Sequence, residues 1–363
     1  MSKKRQIISI ICIVISAIIV FSSGAIFGII AYINIPEKIT SNSEESSNSP
    51  TELATSPSTN ALPTNAPTTT EPTHPAPTIP TTIVADENNV FQISPVKVKD
   101  IKDTNPTVYG YGNIKDPTKL KELENILDTY IPEISVVAIS LNEDRAVAYN
   151  TNASFFSACT IKMGYVLNCC KIIEENNIDI NTTMTYQEKY YHGGSGDIRY
   201  QPYGTKYTLK ELITKCLYIS DNVAYEMLLD YFGLTEYNQM VKELGCDSLH
   251  LEDMWVTYTK AKDLAIIWQE VDKYFSTGSE MSKVLKNACT NSPYNYGTLK
   301  IDEEYSHKSG DNTGTYAAYN DAGIVWDKEN PYVYVVLTHS EGTWNDESAV
   351  NNAMGVVYDI MTS

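Results

Sequence analysis

Proline and hydroxyl side chains dominate a long stretch near the start of this chain, and they decide which part of it can fold. Eight prolines lie between Pro50 and Pro80, in a segment that is otherwise rich in Ser, Thr and Asn. Such a composition cannot bury enough apolar surface to offset the conformational entropy that folding removes. We therefore predict that residues 37–88 form a disordered, extended stalk and that residues 89–363 form the folded domain.

The residues before the stalk have the pattern of a membrane anchor. Lys3, Lys4 and Arg5 precede an apolar run over residues 7–33, which is longer than the about 20 residues that cross a bilayer as a helix. The positive charges favour a cytoplasmic N-terminus, which would place the rest of the chain outside the cell. We predict that residues 1–36 are a cytoplasmic tip and a single-pass transmembrane signal anchor, so that the protein lies in the cell membrane. A cleaved signal peptide is the alternative, although the apolar run exceeds the usual signal core.

Charge and cysteine content exclude several classes of partner. The net charge of −18 at pH 7 argues against nucleic acid, which proteins bind through a basic surface. Cys12 lies in the predicted anchor, and the spacing of the other cysteines shows neither a CxxC pair nor a Cys/His set typical of a metal site. The sequence leaves two alternatives for these other cysteines, disulfide bonds and free buried thiols. We expect a monomer that uses no metal and no cofactor.

The apolar pattern from Asp86 onward predicts one α+β domain. Segments on both sides of residues 142–144 form a predicted hairpin, and Thr208 and Thr259 have the pattern of helix N-caps. Strands from both ends of the domain should pair into one antiparallel five-stranded sheet flanked by helices, with a helical lobe from the middle of the chain. The predicted strands cover residues 134–141, 145–149, 304–308, 316–326 and 332–339. The predicted helices open at 116 and cover 159–176, 209–218, 222–231, 237–244, 259–274, 282–288 and 347–361.

Three short clusters in this domain carry residues that suit acyl transfer. Cys159-Thr160-Ile161-Lys162 sets a thiol three residues before an ammonium group, so that both side chains lie on one face of a helix. A thiol beside a cation at a helix start is a candidate for a lowered pKa and a reactive thiolate. Ser220-Asp221-Asn222 lies between two predicted helices, and Lys308-Ser309-Gly310 ends a predicted strand. Each cluster alone also has an ordinary explanation, as a buried thiol, an N-cap or a turn.

The three clusters, in this order, resemble the motifs of the penicillin-recognising serine acyl-transferases, in particular class A β-lactamases and their D,D-peptidase relatives. The motifs of that family are S-x-x-K, S-D-N and K-[TS]-G. Flanking segments at residues 156–158, 208–212 and 320–325 are similar as well. The resemblance extends over residues 134–363 and implies the β-lactamase/transpeptidase-like fold. The chain departs from the pattern at Cys159, which stands where the family has its nucleophilic serine.

The resemblance implies a role for each matching residue. Cys159 would be the nucleophile, Lys162 its base or electrostatic activator, and Ser220 the hydroxyl that passes a proton to the leaving nitrogen. Asn222 would hold the amide carbonyl of the substrate, whereas Asp221 would point away and brace its loop. Lys308 would be a catalytic cation for the substrate carboxylate, with the Ser309 hydroxyl beside it. The backbone N–H groups of Cys159 and Asp311 would flank Gly310 and form the oxyanion hole.

The same resemblance implies a hydrolase or acyl-transferase that acts outside the cell on β-lactams or on D-Ala-D-Ala-type peptides of peptidoglycan, through an acyl-enzyme on Cys159. A thiolate needs less help from a general base than a hydroxyl does. Class A enzymes also use a glutamate after S-D-N to direct the deacylating water, and here Glu252 is only a loose candidate. Two alternatives therefore stay open: a catalytically inactive domain that binds wall peptides or senses β-lactams, and a thiol esterase. His307, beside Lys308, should be partly exposed on its strand.

Overall fold

The structure is a computed structural model that describes most of the predicted folded domain. The described residues are 101, 107–130, 133–151, 153–252, 257–290, 292–297, 301–340 and 342–363. The predicted anchor and stalk, residues 1–36 and 37–88, lie outside them, so both stay predictions. Within the described ranges, no helix is long and apolar enough to cross a membrane.

One antiparallel sheet forms the centre of the domain. In chain order the strands are β1 (Val108–Gly112), β2 (Ile134–Ser140), β3 (Arg145–Tyr149), β4 (Phe155–Phe156), β5 (Thr183–Thr185), β6 (Lys206–Thr208), β7 (Tyr258–Thr259), β8 (Tyr305–Asn312), β9 (Ala318–Val325) and β10 (Tyr332–Thr338). Six of them form the sheet in the order β1-β3-β2-β10-β9-β8, whereas β4 pairs with β7 and β5 with β6. Strands from both ends of the domain therefore lie side by side, as predicted.

The predicted number of strands was wrong by one. The sheet has six strands rather than five, because β1 pairs with β3 along its whole length, from Val108 opposite Tyr149 to Gly112 opposite Arg145. Its sequence, Val-Tyr-Gly-Tyr-Gly, has two glycines and no apolar alternation, so it lacks the usual strand pattern. The α+β class itself is confirmed.

Helices cover both faces of the sheet. The α-helices of the described residues are α1 (Thr118–Tyr130), α2 (Lys162–Glu175), α3 (Leu209–Tyr218), α4 (Asn222–Phe232), α5 (Thr235–Glu243), α6 (Ala261–Ser276), α7 (Glu280–Cys289) and α8 (Trp344–Thr362). α1 packs against α8 on one face, and α6 packs across β2, β9 and β10 on the other. Every residue of β2, β9 and β10 is consequently buried, which explains the mostly apolar sequences of β2 and β10; β9 also carries the buried polar residues Asn320 and Asp321. The helices α2 to α7 form the predicted helical lobe.

Local hydrogen bonds set the helix ends next to the site. Thr208 caps α3 as predicted: its Oγ1 accepts from the N–H of Glu211 at 3.2 Å, and the Glu211 carboxylate accepts from the N–H of Thr208 at 2.7 Å. The predicted cap at Thr259 was wrong, because that residue pairs with Phe155 between β7 and β4. α6 begins two residues later, after Lys260, whose side chain makes no capping hydrogen bond.

The cysteines of the domain are free thiols. Cys159 is half-buried, and the other five cysteines of the folded part are buried: Cys169, Cys170, Cys216, Cys246 and Cys289. The structure thus favours the free-thiol alternative over disulfides. The described residues also contain no group of three or more His, Cys, Asp or Glu side chains placed to hold a metal ion.

Candidate active site

The three clusters meet between the sheet and the helical lobe. From the first turn of α2, Lys162 Nζ donates to the backbone oxygen of Ser220 at 2.8 Å and to Asn222 Oδ1 at 2.7 Å. Its distance to Ser220 Oγ is 3.4 Å. Lys308 reaches the same centre from β8, close enough for the charges of Cys159 and Lys162 to act on it. Segments far apart in the sequence therefore form one site, and its two lysines are buried.

The candidate nucleophile lies on a constrained turn. Residues 158–161 form a single turn of 3₁₀ helix before α2, and Ala158 has a left-handed backbone with φ 46°. The side chain of Asn320 on β9 ties this turn to the sheet, because its Nδ2 donates to the backbone oxygen of Phe156 at 2.8 Å. Asn320 was not predicted as a site residue, although an amide within a predicted buried strand was a usable signal. The turn is thereby held against the edge of the sheet.

Gly310 allows strand β8 to lie directly against that turn. A Cβ added at Gly310 would lie 2.5 Å from the backbone nitrogen of Cys159, which is closer than real Cβ atoms approach. Only glycine therefore permits this contact between β8 and the turn. The backbone of Asp311 follows at the exposed end of the strand. The amide groups predicted for the oxyanion hole thus belong to two segments that touch through Gly310.

The surroundings of Cys159 favour its thiolate. Burial opposes ionisation of the thiol, but the positive charges of Lys162 and Lys308, together with hydrogen bonds from Ser220 and Lys162, outweigh it. The pKa of Cys159 consequently lies below its ordinary value. The pKa values of the buried Cys170 and Cys216 shift the other way, to well above the usual value, because burial dominates there. Cys159 is thus the thiol among these three that is suited to react.

Asp221 holds the loop that carries Ser220. It caps α4 by accepting from the N–H of Ala224 at 2.9 Å, and its other oxygen accepts from the N–H groups of Asp197 and Ile198 at 2.7 and 2.9 Å. Both carboxylate oxygens are thus engaged by backbone N–H groups, in agreement with the bracing role that the resemblance implied. Ser220 itself has a left-handed backbone with φ 55°, so this loop must be held by its surroundings.

Asn222 connects the lysine to a glycine-containing loop. Its Oδ1 accepts from Lys162, and its Nδ2 donates to the backbone oxygen of Gly193 at 2.7 Å. Gly194 has φ 84°, and a Cβ there would lie 2.7 Å from Asn222 Nδ2. Asn222 Nδ2 also lies 3.4 Å from His192 Nδ1, at the long end of hydrogen-bond distance, so a carbonyl group of a ligand would compete with this histidine for the second N–H.

A buried polar network behind β8 was not predicted from the sequence. His307 is fully buried rather than partly exposed, and its Nδ1 lies 3.0 Å from Asp321 Oδ1. Asp321 Oδ2 accepts from the N–H groups of Tyr296 and Gly297 at 3.0 and 2.8 Å. The hydroxyl of Tyr296 in turn donates to Asp311 Oδ1 at 2.9 Å. The network therefore joins two points of β8, His307 and Asp311, through Asp321 on β9 and the segment at residues 296–297.

The structure does not bring Glu252 into a defined role. Its side chain is exposed, and residues 253–256, which follow it, lie outside the described part of the chain. The nearby Asp263 accepts from both the N–H and the hydroxyl of Ser248, at 2.9 and 2.6 Å, and thus braces the loop. A deacylating function of Glu252 stays a prediction.

Comparison with known proteins agrees with this geometry. Residues 119–359 match the model of the β-lactamase enzyme family. The chain belongs to this family. The match contains all three clusters and most of the described domain, so the domain is a β-lactamase-like hydrolase in its fold and family. In this β-lactamase-like domain, Cys159 is the residue that the motif order predicted as the nucleophile.

Individual relatives are distant. The chain is 25% identical to a β-lactamase of Bacillus subtilis (strain 168) over 273 residues, which are 69% of this chain and 83% of the relative. It is 21% identical to β-lactamase VEB-1 of Pseudomonas aeruginosa over 265 residues, 65% of this chain and 87% of the relative.

Solved structures share the fold at low sequence identity. PBP-A has a TM-score of 0.60 at 19% identity, over 67% of this chain and 95% of that chain. A β-lactamase from Sphaerobacter thermophilus DSM 20745 has a TM-score of 0.60 at 17% identity, over 68% and 98%. The β-lactamase/transpeptidase-like fold predicted from the motifs is confirmed.

The lowered pKa of Lys308 leads to a prediction about pH dependence. Burial lowers the pKa of Lys308 to about 8, although the Cys159 thiolate works in the opposite direction. Its ammonium charge is present below that pH and is lost as the pH rises through it. We expect the rate at which iodoacetate alkylates Cys159, divided by the rate for iodoacetamide, to fall about fivefold as the pH rises through this value. A fivefold change corresponds to about 1 kcal/mol of attraction between the Lys308 ammonium group and the anionic reagent. Both reagents react with the thiolate, so the thiolate fraction cancels in this ratio. Peptide mass spectrometry at Cys159 measures the two rates.

Lys308→Arg is the matched control for this ratio. Arginine keeps its charge throughout the range, so the ratio for this variant should stay level. An equal decline in both proteins would contradict the assignment to Lys308.

Proposed function

We propose that the domain is a thiol-dependent acyl-transfer enzyme, which forms an acyl-enzyme on Cys159 with β-lactams or D-Ala-D-Ala-type peptides of peptidoglycan. One observation carries the proposal: a thiol of lowered pKa lies beside two buried lysines, at the position where the family has its serine. A thiolate attacks an activated carbonyl without prior removal of a proton. The substitution of sulfur for oxygen is thereby compatible with catalysis.

In the proposed acylation step, Cys159 Sγ forms a bond to the carbonyl carbon and the C–N bond of the lactam or peptide breaks. The leaving nitrogen takes the proton of the Ser220 hydroxyl, which regains one from Lys162, 3.4 Å away. The products are a neutral thioester, a neutral Lys162 and an N–H on the leaving group, so the proton balance closes. The buried, fixed position of Lys162 supports this relay, because no reorganisation is needed when the charge moves.

The other predicted residues would bind and orient the substrate. The N–H groups of Cys159 and Asp311, on the two segments in contact at Gly310, would stabilise the oxyanion. The second N–H of Asn222 would hold the amide carbonyl of the acyl group. Lys308, with the Ser309 hydroxyl beside it, would attract a substrate carboxylate. The buried position of Lys308 supports this role, because its charge acts through a medium of low dielectric constant.

A binding or sensing function is the second candidate. The exposed position of Glu252 favours it, because a carboxylate that directs a catalytic water has to be held in place by its surroundings. An acyl-thioester that forms and persists would report the presence of a β-lactam without turnover.

We also propose that the domain acts outside the cell as a monomer, tethered by the anchor at residues 1–36 and the stalk at 37–88. The apolar and proline-rich patterns of those residues support the tether.

Penicillin G should add to Cys159. We expect intact-mass spectrometry of the purified chain to show an increase of one penicillin, and peptide mapping to place it on residue 159. Cys159→Ala should show no adduct, whereas Ser157→Ala, which removes a nearby hydroxyl, should acylate as the parent does. Absence of an adduct at millimolar penicillin would contradict the proposal.

The lifetime of the adduct separates the two candidate functions. Loss of the adduct within minutes after removal of free penicillin, with release of the opened product, indicates a hydrolase. An adduct that persists indicates a sensor. In Cys159→Ser, a large gain in nitrocefin hydrolysis would show that the rest of the site is intact.

A further inference from the structure

A second cavity lies beside the nucleophile turn and takes no part in the proposed reaction. Its volume is about 350 Å³, at the small end of the range of about 300–1,000 Å³ found for small-molecule sites. β4 forms one wall and the connection from β8 to β9 forms another. The cavity is lined by Phe155, Phe156, Tyr258, Tyr316, Glu133 and His339, with Asn150 and small side chains between them.

Aromatic rings form one end of the cavity. The ring of Phe156 lies 5.3 Å from that of Tyr316 and 6.1 Å from that of Tyr258, measured between centroids. Both tyrosines are partly open to solvent, with exposed fractions of 42% for Tyr316 and 47% for Tyr258. Exposed aromatic rings grouped in this way offer apolar faces to a ligand and hydroxyl groups at their edges.

Planar polar groups form the other end. The carboxylate of Glu133 pairs with Nδ1 of His339, and the backbone oxygen of Glu133 accepts from the N–H of His339 at 3.0 Å. Asn150 is held by its Nδ2, which donates to the backbone oxygen of Ile134 at 2.8 Å. Its Oδ1 is a further acceptor group at this end. These side chains, with the hydroxyls of Ser154 and Thr315, provide both donors and acceptors.

The charges around the cavity exclude an anionic ligand and disfavour a cationic one. No lysine or arginine is among the described residues that line it, so a phosphate or carboxylate would find no counter-ion. Glu133 is the single acidic residue of that lining, and its charge is already directed at His339. A ligand that matches the cavity is therefore neutral, has an apolar face for the rings and carries several hydroxyl groups at its edge.

We propose that this cavity binds a neutral sugar ring, stacked on Tyr316 and Tyr258 and hydrogen-bonded through its hydroxyl groups to the Glu133–His339 pair. The C–H face of a pyranose is apolar and its rim is a ring of hydroxyl donors and acceptors, which is the complement of this lining. The site does not depend on the thiol chemistry, because none of its contacts involves Cys159. It places sugar binding directly next to the turn that carries the nucleophile.

The test is calorimetric titration of the purified full-length chain in detergent with a tetramer of N-acetylglucosamine and, separately, with cellotetraose. We expect saturable binding of at least one of them. Tyr316→Ala should raise the Kd by about tenfold, which corresponds to about 1.4 kcal/mol, because the apolar face of the sugar loses the ring that covers it. Tyr316→Phe keeps the ring and should bind as the parent does. Tyr200→Ala removes an exposed ring outside the cavity and is the control.

Three outcomes would overturn the proposal. They are no saturable binding of either oligosaccharide, binding that Tyr316→Ala leaves unchanged while its melting temperature matches the parent, and binding of a lysine oligopeptide in preference to both sugars. Peptidoglycan glycan strands stripped of their peptides, tested by co-sedimentation, distinguish a wall source of the sugar from a soluble one. Sugar binding should persist in Cys159→Ala, so failure of the proposed acylation and failure of this proposal give different results.

Discussion

Replacing Lys162 with methionine should slow the alkylation of Cys159 by iodoacetamide at pH 7 by about tenfold or more, because each unit of pKa changes the thiolate fraction by up to tenfold. The positive charges of Lys162 and Lys308 both lower the pKa of the thiol, and the effect of Lys162 is the larger of the two. Methionine keeps much of the volume of the side chain but removes the charge. The midpoint of the pH–rate profile should consequently move to higher pH.

Two further variants make this result specific. Lys171→Met changes a partly exposed lysine on the same helix, whose nearest acidic partner is Glu270 at 3.9 Å, and should leave the profile unchanged. Lys162→Arg retains a positive charge and should restore part of the reactivity. An unchanged midpoint in a folded Lys162→Met protein would show that the helix start, rather than the lysine, controls the thiol.

Replacing Asp221 with alanine should lower the free energy of unfolding by about 3–5 kcal/mol, because three N–H groups, two of them buried, lose their acceptor together and α4 loses its cap. The carboxylate is fully buried and accepts from the N–H groups of Asp197, Ile198 and Ala224. Urea denaturation followed by circular dichroism measures the change. Thiol reactivity should fall as well, because the loop that holds Ser220 loses its support.

Asp197→Ala is the matched control, on the connection between β5 and β6 from whose N–H groups Asp221 accepts. The Asp197 side chain is half exposed and pairs with Lys215 at 2.7 Å, so its loss should cost less than about 1 kcal/mol. Equal losses in the two variants would mean that Asp221 acts only as a surface charge.

The sequence predicted the helical lobe well, because its boundaries depend on local chemistry. The capping pattern at Thr208 placed the start of α3, and Asp221-Asn222 placed the start of α4. Strand β8 was predicted to end at Lys308 but continues to Asn312. Ser-Gly-Asp-Asn is a turn sequence by composition, yet here it pairs with β9 up to Ala318, and this long-range pairing overrides the local preference.

The order of the three clusters predicted which residues meet in the site, but not how they are held. His307 is buried because the segment at Tyr296 and Gly297 packs over Asp321, and nothing near His307 in the sequence indicates that segment. The same holds for the second cavity, whose walls come from parts of the chain that meet only through sheet pairing. Such features depend on tertiary packing, and a single sequence contains no local signal for it.

The left-handed backbones of Ala158 and Ser220 have a consequence for how this domain can adapt to heat. Both residues carry a Cβ, and a side chain in this conformation costs about 1–2 kcal/mol compared with glycine. Glycine at 158 would therefore relieve strain without loss of a functional group, whereas glycine at 220 would remove the hydroxyl. Selection for thermal stability can therefore act on residue 158, next to the proposed nucleophile. At residue 220 the same substitution would remove the hydroxyl of the proposed proton relay.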